Sequence, residues 1–144
     1  MKSEKQYCTF FVGDLLFGVE VLEVREIMSE HKIAPVPLAP RTVAGLVNHR
    51  GQIVTTIDMR RRLEFPDRPE GRPSMMLIAR CNEESIGLLV DKIGDVISVS
   101  SDDYEPAPVN AQADGNELVE GAYKLSERLL LPLQLSRIAE IAKQ

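Results

Sequence analysis

Hydrophobic and polar residues alternate over most of this chain, which is typical of short β-strands. The pattern predicts strands at 7–12 and 15–19, joined by Gly13-Asp14, a residue pair that suits a tight hairpin turn. The next stretch, 20–28, has apolar residues at helical spacing but is short and rich in β-branched side chains. We therefore expect a helical turn that leads into a strand.

A second hairpin is predicted later in the chain. Its strands are expected at 74–81 and 85–90, with Asn82-Glu83-Glu84 between them, and a further strand follows at 93–99. The polar residues of 99–117 then predict a long loop, and this loop is the most mobile region that the pattern indicates.

The stretch 43–63 combines a tight turn with a strand of the buried type. Gly51 tolerates the positive φ that a sharp turn requires, so the chain is expected to turn there and to leave Arg50 at the corner. The following residues alternate with a period of two, and a helical turn is expected at 59–63. The residues predicted to face inward are Ile53, Thr55, Ile57 and Met59.

The remaining segments connect these strands. Three prolines predict a loop or edge segment at 31–42, and 64–73 mixes proline, glycine and charges as a joint between two halves. Ser136 is a plausible N-cap for a C-terminal helix that turns Leu135, Ile138 and Ile141 toward the core. About ten short strands and little helix predict an all-β protein of two small barrels or half-barrels.

The chain also contains an internal repeat. Gly45 aligns with Gly121 at an offset of 76, and 17–27 aligns with 86–96 at an offset of 69. Between these blocks, Pro-Val-Pro at 35–37 aligns with Pro-Ala-Pro at 106–108. Three matches in the same order indicate a duplicated unit. We expect one domain over 1–144, with subdomains at about 7–70 and 71–144, and the exchange of strands between them is left open.

Composition limits the classes of function. The chain has 144 residues and a net charge of −5, which argues against nucleic acid as the main partner. Cys8 and Cys81 lack metal-ligand spacing and are expected to be buried free thiols. With no apolar run long enough for a signal peptide or a membrane span, a cytoplasmic protein without direct membrane insertion is expected.

Candidate chemistry is sparse. His31 and His49 are the only imidazoles, and neither has a nearby partner at the spacing of a metal site or a catalytic pair. We expect no catalytic residues, no metal and no cofactor; a small hydrolase would require a His and carboxylate cluster formed by the fold. Arg60-Arg61-Arg62 is the only basic run and favours a solvated surface over a phosphate site. It leaves one alternative, a nucleic-acid-binding small barrel that uses this run and Tyr104.

A groove between two such units would suit an amphipathic helix of a partner protein. Its expected lining comes from the residues that follow the second strand of each half, although each of these side chains taken singly is more often part of a core. The candidates are Val21, Val24 and Ile27 in the first half and Val90, Ile93 and Val96 in the second.

Three segments resemble the CheW family of coupling proteins in bacterial chemosensory arrays. They are YCTFFVGDLLFGVEVLEVREI, VAGLVNHRGQIVTTIDMRRRL and IGLLVDKIGDV, and the most specific part is GLVNHRGQIVTTIDMR. The resemblance runs from about Tyr7 to the C-terminus. It implies two five-stranded barrels with a terminal helix, and a non-catalytic scaffold that is peripheral to receptor arrays at the inner membrane.

The resemblance also implies partners and sites. The expected partners are the cytoplasmic tip of a methyl-accepting chemotaxis receptor and the regulatory domain of a CheA-type histidine kinase. Arg50 belongs to the Asn-x-Arg-Gly motif of the family, and Glu26 is expected to pair with Arg50 or with a partner. The implied receptor side comprises Val24, Glu26, Gly45, Asn48, Arg50 and Gly51. The implied kinase side comprises Met75, Ile93 and Val96.

Some residues depart from the family pattern. His49 stands where an apolar residue is usual, Thr55-Thr56 replaces a stretch that often carries proline, and Arg60-Arg61-Arg62 is more basic than usual. These departures leave the fold intact and leave the partner open. A coupler of a non-flagellar pathway, such as surface sensing or twitching, is therefore kept as the alternative.

Overall fold

The fold is built from short antiparallel hairpins. A computed structural model describes residues 4–29, 32–106 and 118–142. Eleven strands lie within these ranges: β1 Glu4–Val12, β2 Leu15–Glu20, β3 Val24–Met28, β4 Val43–His49, β5 Gln52–Asp58, β6 Met75–Cys81, β7 Glu84–Val90, β8 Lys92–Ser100, β9 Tyr104–Pro106, β10 Gly121–Lys124 and β11 Leu129–Pro132.

Among the residues that the structure describes, helical structure is limited to short segments. A 3-10 turn at Val21–Glu23 leads into β3, as the sequence predicts, and α1 at Met59–Arg62 is the expected helical turn. Asp58 caps α1, because its carboxylate accepts from the amides of the second and third residues that follow it. The terminal helix α2 spans Leu135–Ala142. The prediction of Ser136 as its N-cap is wrong, since the helix already begins at Leu135.

The strands form two sheets, and each sheet takes strands from both halves of the sequence. The first sheet has the order β8-β1-β2-β11-β10-β9, and the second has the order β3-β6-β7-β5-β4. The β1–β2 hairpin thus lies among the later strands, and the β6–β7 hairpin lies among the earlier ones. The structure confirms the all-β class, with two units of five or six strands and a short C-terminal helix. The boundary near residue 70 stays a prediction.

The pairing pattern repeats between the halves in the register that the sequence offsets indicate. Phe17 pairs in parallel with Leu131, and Thr55 pairs in parallel with Ile86. Under the offsets of 69 and 76, Phe17 corresponds to Ile86 and Thr55 corresponds to Leu131. Ala34 likewise bridges to Leu46 beside Gly45, as a residue of β9 pairs with Ala122 beside Gly121. These equivalent pairings are what a duplicated unit produces.

Buried apolar side chains of the described ranges form three clusters. One is enclosed by the second sheet and joins Val47 of β4 to Met76 and Ile78 of β6. Strands β4 and β6 stand three places apart in the sheet order, so the sheet must curl for them to share a cluster. The first sheet encloses a second cluster around Tyr7 and Tyr123. The third and largest cluster, called the central cluster below, lies between the sheets and includes residues of α2.

The curl of the second sheet explains an error in the predicted inward face. Ile57 and Met59 are buried as expected, but Ile53 is 66% exposed and Thr55 is only partly buried. Val54 and Thr56, predicted to face outward, are buried. Because β5 is an interior strand of its sheet and apolar clusters cover both of its faces, a simple alternation does not describe it.

Other differences concern boundaries and burial. The first strand begins at Glu4 instead of residue 7, and the predicted loop at 99–117 contains the end of β8, a 3-10 turn at Ser101–Asp103 and β9. Residues 107–117, predicted to be the most mobile, lie outside the described residues. Cys8 is buried as expected, whereas Cys81 is only half-buried, and no disulfide joins the two.

Candidate functional site

The turn between β4 and β5 presents Arg50 at the corner of the second sheet. Both Arg50 and Gly51 have positive φ, 52° and 85°, and His49 pairs with Gln52, which defines a two-residue type I′ hairpin. The Asn48 side chain fixes the turn, because its Oδ1 accepts a hydrogen bond of 2.9 Å from the Gly51 amide. The Arg50 side chain is 79% exposed and therefore accessible to a partner.

Glu26 of β3 connects this corner to the opposite edge of the same sheet. Nη2 of Arg50 donates to Oε1 of Glu26 at 2.9 Å. Nε2 of His49 lies 3.4 Å from Oε2 of Glu26. Strands β3 and β4 are the two ends of the sheet order, so these side-chain contacts join its edges where the described residues show no backbone pairing. The expected contact between Glu26 and Arg50 is present.

The titratable residues at the corner differ in burial, and the neighbours of Glu26 affect its ionisation. The hydrogen bond from Arg50 lowers the pKa of Glu26, with a further contribution from nearby His49, although partial burial opposes the shift. The His49 side chain is 12% exposed, and its Nε2 has no hydrogen bond to a described residue. Glu26 therefore stays ionised at neutral pH, between an exposed guanidinium and a largely buried imidazole.

Apolar side chains accompany the charged corner. Ile53 pairs across the hairpin with Asn48 and is exposed, and Ile27, next to Glu26 in β3, is 40% exposed. Leu22, in the 3-10 turn before β3, is 88% exposed. An exposed arginine fork and exposed apolar side chains are common features of surfaces that recognise other proteins.

Two residues predicted for the receptor side, Val24 and Gly45, are partly or fully buried. Val24 is half-buried and packs against the central cluster. Gly45 is buried beneath the segment at Ile33 and Ala34, where an added Cβ would overlap both residues. Val24 and Gly45 are thus less accessible to a partner than Arg50, whose side chain is 79% exposed.

The three residues predicted for the kinase side differ in exposure. Met75 and Ile93 are half-buried and pack against the central cluster. Val96 is 57% exposed on β8, opposite Cys8 of β1. Of the predicted groove residues, Val90 is fully buried, so its assignment to an exposed groove is wrong.

A second charged cluster has no counterpart in the predictions. The Asp91 carboxylate accepts hydrogen bonds from Arg60, from Arg68 and from the Gly13 amide, at distances from 2.7 to 3.1 Å. The prediction that Arg60 belongs to a solvated face is wrong, since its side chain is 17% exposed and bound to Asp91. The proximity of 60, 68 and 91 arises only in the fold, and no sequence spacing indicates it.

The described residues contain no group of three or more His, Cys, Asp or Glu side chains arranged to hold a metal ion. None of the helices in the described ranges is long and apolar enough to cross a membrane. The corner itself offers hydrogen-bonding groups and exposed apolar side chains, and these are the features of protein-binding scaffolds as a class.

The comparisons with known proteins agree with this class and give the family. A family model described as the CheW-like domain matches residues 6–143, so the chain belongs to the CheW-like family. Chemotaxis protein CheW of Rhizobium meliloti is 28% identical over 134 residues, covering 93% of this chain and 86% of that protein. Protein FrzA of Myxococcus xanthus is 23% identical over 145 residues, covering 99% and 90%.

A solved structure shows the same fold. The scaffolding protein TtCheW of Thermoanaerobacter tengcongensis matches with a TM-score of 0.80 and 25% sequence identity, covering 92% of this chain and 90% of that one. The chain is thus a non-catalytic scaffold protein of the chemotaxis type, as the resemblance implied.

Proposed function

We propose that this protein couples the cytoplasmic tips of chemoreceptors to a CheA-type histidine kinase at receptor arrays, and that the corner formed by Arg50 and Glu26 contacts the receptor. The observation that carries the proposal is the 2.9 Å pair between these residues, with Arg50 79% exposed. Because Glu26 orients the guanidinium while most of it stays accessible, the fork is preorganised for a partner carboxylate or backbone carbonyl.

The surrounding apolar side chains support a helical partner. Ile53 is exposed across the hairpin from Asn48, and Ile27 and Leu22, in β3 and the turn before it, are exposed as well. A receptor tip is a helical hairpin in this family, and an amphipathic helix docks through apolar anchors with charges at the rim. The proposed contact therefore combines burial of these aliphatic side chains with the directional hydrogen bonds of Arg50.

The kinase contact is proposed for the exposed part of β8. Val96 is the accessible member of the predicted set, whereas Met75 and Ile93 support the strand from the central cluster. Since Val96 and Arg50 lie on different sheets, the two contacts are separable by mutation.

The test measures both contacts with the same variants. Arg50→Ala is expected to weaken binding of a purified receptor hairpin about tenfold, the usual effect of losing an arginine anchor, and to leave binding of the kinase regulatory domain unchanged. Val96→Glu is expected to show the opposite selectivity. Isothermal titration calorimetry with each partner measures both affinities.

Arg80→Ala is the matched control, because Arg80 is an exposed arginine of β6 in the same sheet. Unchanged binding of both partners by Arg50→Ala would contradict the site assignment. Loss of both partners by Arg50→Ala, with an unchanged unfolding temperature, would contradict the division into two contacts.

The alternative of a non-flagellar pathway rests on a separate observation. The relatives that align over nearly the whole chain include FrzA as well as proteins named CheW, so the fold by itself does not assign the pathway. Co-purification of the tagged protein from its native host, followed by identification of the bound kinase, distinguishes the two assignments.

A further inference from the structure

A cleft with a strong excess of positive charge lies away from the corner. It has a volume of about 750 Å³ and forms where the β1–β2 turn, the loop after α1, the β7–β8 connection and the β10–β11 turn meet. Its cationic residues are Arg60, Arg68, Arg72, Lys92 and Arg128, and its acidic residues are Asp14 and Asp91. The cleft thus has a surplus of three positive charges in a protein whose net charge is −5.

The surplus of positive charge remains after Asp91 is counted, and Asp91 has no further capacity to bind a cation. Its two oxygens already accept hydrogen bonds from Arg60, Arg68 and the Gly13 amide, so no lone pair remains for another cation. The Asp91 side chain is 14% exposed and lies at the base of the two arginines that it binds. One carboxylate between two guanidiniums leaves a fixed positive charge in the wall of the cleft.

The other cations are available to a partner. Within the described residues, Arg72, Lys92 and Arg128 form no ion pair, and all three are exposed. The Arg128 guanidinium lies over the Phe11 ring, 5.1 Å from its centroid, which holds it at the rim. Phe11 and Pro73 add apolar surface between these charges.

We propose that this cleft binds an acidic peptide segment of a partner protein, with carboxylates at Arg72, Lys92 and Arg128 and an apolar residue against Phe11. The cleft is much larger than a single phosphate ion, and its concave shape does not fit the flat surface of a bilayer. It shares no residue with the corner at Arg50, so the proposal goes beyond receptor and kinase coupling and stands independently of it.

The experiment uses the full-length protein and fluorescence anisotropy. The probe is a short fluorescein-labelled peptide in which glutamates alternate with leucines, and the comparison peptide has glutamine in place of each glutamate. The variant Lys92→Glu/Arg128→Glu is expected to bind the glutamate peptide about tenfold more weakly than the wild type, and added salt should weaken the wild-type complex. The glutamine peptide should bind the wild type no better than this variant binds the glutamate peptide.

The control variant is Lys32→Glu/Arg80→Glu, which changes the total charge equally at exposed positions outside the cleft. Its affinity should stay within about twofold of the wild type. Absence of wild-type binding, or an equal loss in both variants, would overturn the proposal. Displacement of the peptide by inorganic phosphate at millimolar concentration, or binding of phosphatidylglycerol vesicles to the wild type but not to Lys92→Glu/Arg128→Glu, would instead assign the cleft to a small anion or to a membrane.

Discussion

Asp91 shows how the environment of a single residue sets its ionisation. Burial alone would raise the pKa of its carboxyl group, but hydrogen bonds from Arg60, the Gly13 amide and Arg68 outweigh burial and lower the pKa to about 2. These bonds connect the β1–β2 turn, α1 and the loop after it to the start of β8. Asp91 therefore stabilises the connection between the two halves of the sequence through these hydrogen bonds.

Replacement of Asp91 by asparagine should destabilise the protein. Arg60 and Arg68, 17% and 14% exposed, would then face each other without a carboxylate, and we expect a loss of about 2 to 3 kcal/mol in the free energy of unfolding at neutral pH. Urea denaturation followed by circular dichroism measures this loss. Asp95→Asn, at an exposed position of β8, is the control and should lie within about 0.5 kcal/mol of the wild type.

The same carboxylate predicts a pH dependence. Its pKa is lower in the folded protein than the ordinary value of 3.8, so its stabilisation is complete above about pH 4 and is lost as the pH falls toward 2. The stability difference between the wild type and Asp91→Asn should therefore shrink over this interval. A difference that stays constant from neutral pH to pH 2 would show that the ionised carboxylate is not its source.

Arg50 illustrates which features of a single residue are predictable. Gly51 indicates a sharp turn, so the exposed position of Arg50 at its corner follows from local backbone preference. The position of His49 does not follow in this way. Its burial beside Glu26 depends on how the sheet curls, which joins residues more than twenty positions apart.

At the scale of elements, β5 shows why alternation is an incomplete guide. Period-two patterning identifies a strand, but its use to assign faces requires that one face is buried and apolar and the other is exposed to solvent. Val54 packs inside the curled sheet while Ile57 faces the cluster between the sheets. A strand covered on both faces carries apolar residues on both, and only the arrangement of its neighbours determines which residue is exposed.

The loop before β4 depends on a glycine in that strand. Gly45 has a φ of 151°, and a Cβ there would overlap the carbonyl oxygen of Ala34 and the side chain of Ile33. Gly45→Ala should therefore displace this loop or cost about 2 kcal/mol or more. Gly51→Ala is the matched control: its φ of 85° is strained for alanine, but no atom lies within 4 Å, so about 1 kcal/mol is expected.

Thermal unfolding of the two glycine variants measures the difference. Gly45→Ala should also increase amide hydrogen exchange at Ala34 and Leu46, which are paired by backbone hydrogen bonds of 2.9 and 2.8 Å. Equal destabilisation by both substitutions would indicate that backbone strain alone, and not the close approach of the loop, makes glycine necessary at position 45.

At the scale of the whole molecule, the two halves of the sequence are interlocked. The β1–β2 hairpin pairs with β8 and β11, and the β6–β7 hairpin pairs with β3 and β5. Each half expressed alone would leave the edges of its own sheet unpaired and would expose the central cluster. A chain of about 70 residues is also close to the size at which burial barely compensates for lost conformational entropy.

We therefore expect fragments 1–70 and 71–144 to be unfolded separately and to fold when they are mixed. Circular dichroism and the dispersion of amide resonances in two-dimensional NMR spectra measure this directly. A chain cleaved at an inserted protease site near Gly71, in the exposed joint, should stay associated and folded. Native-like spectra from either isolated fragment would contradict the interlocked arrangement.

The sequence alone determined the strands, their hairpins, the internal repeat and the exposed arginine turn, because these depend on contacts between near neighbours and on local backbone preference. It also carried the family resemblance that the comparisons confirm. Only the tertiary structure decided which hairpin joins which sheet, which face of β5 is covered, and how Glu26 meets Arg50 and Asp91 meets Arg60. These features depend on the closing of long loops and on the burial of charge, and neither of these produces a periodic pattern in the amino-acid sequence.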